Sequence, residues 1–161
     1  MTTIAVERQK VFSSGTPSPV VGEVKAKQKA GIALLQETDR GTEVLLVKQA
    51  NGHWSLPKGK RKTGESIKQT GLRECREETG HEARALRFVG WGVNRRKQIR
   101  LYLWKSEAHR LSSGHGGRWR PRPREILRIA WVSLGQAQQM LKPCQASLLA
   151  KIMRSATNRA A

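Results

Sequence analysis

Acidic side chains are scarce in this chain. Its 161 residues carry 12 Asp and Glu against 31 Lys and Arg, a formal net charge of +19. Such an excess disfavours a cationic substrate or partner. It leaves three readings: a solvated basic surface, guidance of a polyphosphate into a site, or binding of nucleic acid. Cysteine is nearly missing too. Two cysteines cannot build a disulfide framework, so Cys75 and Cys144 read as free thiols, which suits a reducing cytosol and a cytoplasmic location. No apolar run is long enough to cross a membrane, and the N-terminus lacks the continuous apolar region of a secretory signal. Aromatics make up 5% of the chain. They are not interleaved with the basic groups as in an RNA-recognition motif, which places nucleic acid second to polyphosphate. No internal repeat is visible.

Three of the few acids are crowded together. Glu74, Glu77 and Glu78 stand at i, i+3 and i+4, and an α-helix would put them on one face within about a turn. Like charges at that spacing repel. They fit either a solvated acidic face or a seat for a hard divalent cation, which prefers oxygen ligands. The helix itself can be derived from its ends. Ser66 followed by Gln69 is a capping-box pattern, and Gly80 suits the left-handed position past the last turn. Ile67, Gly71 and Cys75 run down one side. Gly71 costs about 1 kcal/mol relative to alanine inside a helix, which close approach to a sheet would offset.

Gly59, Glu65, Arg73, Glu74, Cys75, Glu77, Glu78 and Gly80 fall at the spacing Gx5Ex7REUxEExGU, where U is a bulky apolar residue. The segment resembles the Nudix box of MutT-like hydrolases. Cys75 fills the first U position as a small apolar residue. His81 occupies the last and is the one departure, bearing on packing more than on metal binding. The resemblance implies an α/β (α+β) fold, a Nudix-type α/β/α sandwich with a mixed central sheet, over residues 23–142. Residues 1–22, rich in Ser, Thr and Pro, read as a flexible tail. That tail is short of acids, as a mitochondrial presequence is, but has little amphipathic periodicity. Residues 143–161 read as a C-terminal helix packed on the domain.

The resemblance also implies a site. Glu74, Glu77 and Glu78 would hold Mg2+, or Mn2+, with help from a backbone carbonyl near Lys58 or Gly59. Arg73 would orient Glu74, the preferred general base, through a charge-assisted hydrogen bond. Glu65 would brace the loop or bind a secondary ion. Glu125, in a late loop, is the alternative base, or else pairs with a neighbouring arginine. Residues 53–60, HWSLPKGK, resemble the WxxPKG entry of Nudix hydrolases acting on diadenosine polyphosphates, diphosphoinositol polyphosphates and some oxidised nucleoside triphosphates. Lys58, Gly59, Lys60 and Trp54 form the expected substrate-binding set, with Trp54 either stacked on a base or packed in the core. Trp91, Trp104 and Trp131 read as packing, and Trp119, between arginines, as a stacking candidate. His53, His109 and His115 lack zinc-ligand spacing.

Strands are expected over residues 25–36, 43–49, 83–93, 98–104 and 126–134, with a turn over 37–43, a short strand broken by Pro57, and two closing helices. The basic residues gather in three groups: Lys58 to Lys62, Arg95 to Arg100, and Arg118 to Arg128. The expected function is magnesium-dependent hydrolysis of a nucleoside diphosphate linked to another moiety, favouring a dinucleoside polyphosphate or a diphosphoinositol polyphosphate. The second reading is a protein of the same fold that binds RNA or removes pyrophosphate from triphosphorylated 5′ ends.

Overall fold

Unbroken buried runs in the first two strands, Ala30–Leu34 and Val44–Val47, require a sheet covered on both faces. In the computed structural model, which describes residues 26–108 and 125–157, the chain runs β1 (Lys27–Thr38), β2 (Gly41–Gln49), β3 (Trp54–Ser55), β4 (Lys58–Lys60), α1 (Ile67–Thr79), β5 (Arg87–Asn94), β6 (Ile99–Glu107), β7 (Ile126–Ser133), α2 (Leu134–Met140) and α3 (Pro143–Thr157). The tail, Trp119, His109, His115 and Arg118, Arg120, Arg122 and Arg124 lie outside the described residues.

Seven strands form one mixed sheet, with β3-β2-β1-β6-β5 in order, β4 also paired to β1 and β7 to β2. Only β1 and β6 run parallel; the other pairs are antiparallel. Strand β1 divides one of its edges. Residues 29–31 pair with β4, and residues 35–38 pair with β2. Where the two partners part, the Ile32 N–H donates to the Pro57 carbonyl at 3.1 Å. Gly31 permits this, since a Cβ there would lie 2.7 Å from that carbonyl oxygen.

Side chains of a strand point alternately to opposite faces. Ile32 and Leu34 of β1 and Leu45 of β2 accordingly meet Cys75 of α1 on one face. Ala33, Val44, Leu46, Leu101 and Leu103 meet Ala137 of α2 and Leu148, Leu149 and Ile152 of α3 on the other. The result is the expected α/β/α sandwich.

Helix α1 has the expected ends. Ser66 Oγ accepts from the Gln69 N–H at 3.1 Å while the Ser66 N–H donates to Gln69 Oε1 at 2.8 Å, and Gly80 takes φ 73°. Gly71 lets the helix approach β1, since a Cβ there would lie 3.3 Å from Ile32 Cδ1.

Three local expectations need correction. The first hairpin turns over residues 39–40 alone, because Thr38 Oγ1 donates to the Gly41 carbonyl at 2.9 Å and the strands pair up to that point. Residues 83–86 are not strand. Ser106 Oγ accepts from the Arg84 N–H and donates to the Arg84 carbonyl, taking both groups a ladder would use, and Ala85 turns at φ 48°. Trp91 is not core: it is 46% exposed on β5, with the Arg100 guanidinium 4.6 Å from its ring centroid. Trp104 and Trp131 do pack against the α1-side cluster. Among the described residues, no helix is long and apolar enough to cross a membrane.

Candidate active site

Arginine 73 organises the acidic face of α1. Its Nε donates to Glu65 Oε1 at 2.5 Å and its Nη2 to Glu65 Oε2 at 3.1 Å. Nη1 donates to Glu74 Oε1 at 2.6 Å and to Glu77 Oε2 at 3.1 Å, and Nη2 also reaches the Lys60 carbonyl at 3.0 Å. One guanidinium therefore joins three carboxylates to strand β4. The planar fork of arginine suits this, and a lysine point charge would not. Glu65 also accepts from the Lys62 N–H and Thr70 Oγ1. The Arg73 hydrogen bond holds its carboxyl down to about 2, which fits bracing of the loop.

Glu78 sits differently. It is buried, and its Oε2 accepts from the Lys58 N–H at 3.0 Å. Burial nonetheless pushes its carboxyl up to about 7, against that hydrogen bond and the Lys58 charge. Burial likewise lowers the Lys58 ammonium to about 8, with Lys29 adding to the effect.

Gly59 has a steric task that its spacing alone does not reveal. A Cβ there would overlap the Glu74 carboxylate, so strand and carboxylate touch only because position 59 has no side chain. Lys60 is exposed, and its carbonyl is what meets Arg73. Glu125 stands just before β7, its carbonyl accepting from the Ala50 N–H, and its charge acts on Glu78. Trp54 is half-buried and packs against the α3-side cluster. At the U position after Gly80, the His81 ring meets Trp131 edge-on at 6.1 Å and its Nδ1 lies 2.9 Å from the Thr79 carbonyl, so an imidazole fills the apolar slot.

The family model of the NUDIX domain matches residues 26–153, most of the chain. This protein belongs to the NUDIX family. The putative mutator protein MutT4 of Mycobacterium tuberculosis is 30% identical over 124 residues, covering 74% of this chain and 45% of that protein. The chain thus spans less than half of that relative. The asymmetrical bis(5'-nucleosyl)-tetraphosphatase of Mus musculus is 37% identical over 102 residues, 53% of this chain and 69% of that protein. Among solved structures, a C. elegans Ap4A hydrolase binary complex matches with a TM-score of 0.61 at 20% identity, covering 82% of this chain and 98% of the other. The NUDIX domain of Shewanella oneidensis NrtR, complexed with ADP ribose, matches with a TM-score of 0.66 at 18% identity, covering 83% and 90%. At such identities the likeness establishes the shared fold.

Members of the NUDIX family generally use divalent metal ions. The donors on α1 suit one chemically, because Glu74, Glu77 and Glu78 offer oxygen alone. Among the described residues, no three His, Cys, Asp or Glu side chains are gathered closely enough to hold a metal ion as they stand, and Arg73 holds Glu74 and Glu77. A cation here would share those two carboxylates with the guanidinium.

Proposed function

We propose that this NUDIX protein hydrolyses a phosphoanhydride bond of a dinucleoside polyphosphate or a diphosphoinositol polyphosphate, using Mg2+ or Mn2+. The observation that carries the reading is the pairing of a carboxylate face with half-buried Lys58: Glu78 accepts the Lys58 N–H, and Lys58 also lines the adjoining cavity.

Glu74, Glu77 and Glu78 are the residues that would hold the cation. When bound, it neutralises charge developing on the phosphate oxygens and acidifies a water. The protein's own groups do the rest. Arg73 occupies Glu74 Oε1 and so leaves Oε2 to accept the proton of the attacking water. The water oxygen bonds to phosphorus, the bridging P–O bond breaks, and the leaving phosphate departs with the electron pair. Lys58 offsets charge on the departing side as a point charge. Gly59 admits the Glu74 carboxylate beside β4.

A panel of pyrophosphate compounds, with products identified by mass, tests this. Cleavage of a dinucleoside or inositol polyphosphate that stops on adding chelator is the expected result. No cleavage of any compound in Mg2+ or Mn2+, or cleavage indifferent to chelator, would overturn the proposal.

A further inference from the structure

Beside the carboxylates lies a cavity of about 230 Å³, walled by β1, β3, β4, β6, the turn Arg95–Lys97 and the start of α3. Four lysines line it: Lys29, Lys58, Lys97 and Lys142. They come from four separated stretches of sequence, so the fold, not a local basic run, assembles them. They stand close enough that Lys97 acts electrostatically on Lys29, and Lys29 and Lys142 on Lys58, while Glu74 and Glu78 behind the wall offset part of that charge. Among the described residues, no Asp or Glu lines the wall. Four like charges around so small a space repel, and a merely solvated basic face would spread them outward. A polyanion relieves the repulsion.

The same wall has little to offer a nucleobase. Among the described residues its wall holds one Phe, Tyr or Trp ring, Trp54, which already packs on the core and has Lys48 Nζ 6.0 Å from its centroid. The volume also falls below the roughly 300–1,000 Å³ of pockets that bury a drug-sized ligand, so only part of a large substrate enters.

We infer that this cavity reads phosphates and not bases: Lys29, Lys97 and Lys142 determine specificity by holding phosphates beyond the pair that flanks the broken bond, and Lys58 links them to the carboxylates. The substrate class is a phosphate-dense compound whose organic ends stay outside. The reading of which bond breaks rests on the proposed hydrolase activity; the binding itself does not.

Two measurements on the full chain test it. The first is calorimetry with inorganic tripolyphosphate in chelator, on the wild type and on Lys29→Met, Lys97→Met and Lys142→Met, with exposed Lys68→Met as the charge control. Each cavity variant is expected to weaken binding about fivefold or more, Lys142→Arg to retain it, and Lys68→Met to change it little. The second compares KM for paired substrates. Lys97→Met and Lys142→Met should raise KM for a four-phosphate dinucleotide about tenfold, with little change for two-phosphate ADP-ribose. Adenine and guanine dinucleotides should differ by less than about threefold. No tripolyphosphate binding, equal losses at Lys68, equal KM rises for both substrates, or base discrimination above about tenfold would each overturn the inference. Lysine-dependent binding without cleavage of any compound would leave the pocket standing and remove the hydrolase reading instead.

Discussion

On the α3 side of the sheet eleven buried apolar residues pool into one cluster, whereas the α1 side pools four. The difference is chemical as well as numerical. Helix α1 buries Thr70, Gly71, Cys75, Glu78 and Thr79, a set with no large hydrocarbon in it. Hydrogen bonds and close backbone approach hold it instead. The capping box secures its start, Arg73 ties it to β4 and the Glu65 loop, Glu78 meets the Lys58 N–H, and Thr79 Oγ1 donates to the Cys75 carbonyl at 2.6 Å. One side of the sheet thus supplies most of the fully buried apolar core that favours folding, while the other positions charged groups over a smaller cluster edged by Leu86, Trp104, Ile129 and Trp131.

Substitutions can separate the two roles. The largest effect is expected from Glu74→Gln, which removes the proposed base and should lower kcat about 10²–10⁴-fold while shifting the thermal midpoint only slightly. Gly59→Ala should approach that loss without replacing a charged residue, because the new methyl would displace the Glu74 carboxylate. Steady-state kinetics beside a thermal melt check both, and wild-type activity in Gly59→Ala would break the argument for contact. Leu149→Ala, on the opposite side and fully buried, should cost about 2–5 kcal/mol in denaturant unfolding and leave kcat per folded molecule unchanged. A fall in kcat there would mean that the two sides are not independent.

Smaller effects sharpen the picture of α1. Ser66→Ala should cost about 1 kcal/mol through loss of the cap, seen as a shifted urea midpoint. Glu65→Gln bears on pH. Its folded-state carboxyl lies near 2, below the ordinary 4.5, so its contribution is present above about pH 4.5 and lost as pH falls toward 2. Melts across that window should show a shallower decline in the variant than in the wild type, and identical slopes would remove Glu65 from the bracing role.

Local features of α1 could be read from residues alone. Ser66, Gln69 and Gly80 specify a helix with both ends satisfied by near neighbours, and the spacing of Arg73, Glu74, Glu77 and Glu78 follows from helical geometry. Features made by distant pairings could not. Nothing at position 59 announces that Glu74, fifteen residues on, needs the space of a side chain. The lysine-lined cavity draws on Lys29 and Lys142, which no local basic group contains. Trp91 looked like core because its strand is apolar, yet α1 packs chiefly against β1 and leaves the outer surface of β5 open. The parallel pairing of β1 with β6 is likewise a long-range fact, joining strands that lie about 70 residues apart in sequence.

At Lys58, a main-chain amide grips the buried carboxylate, and the residue also borders the cavity. Any residue except proline would supply that amide. A different side chain there would keep that grip and forfeit only the ammonium's pull on Glu78, which makes this one position a natural place for new preferences to arise.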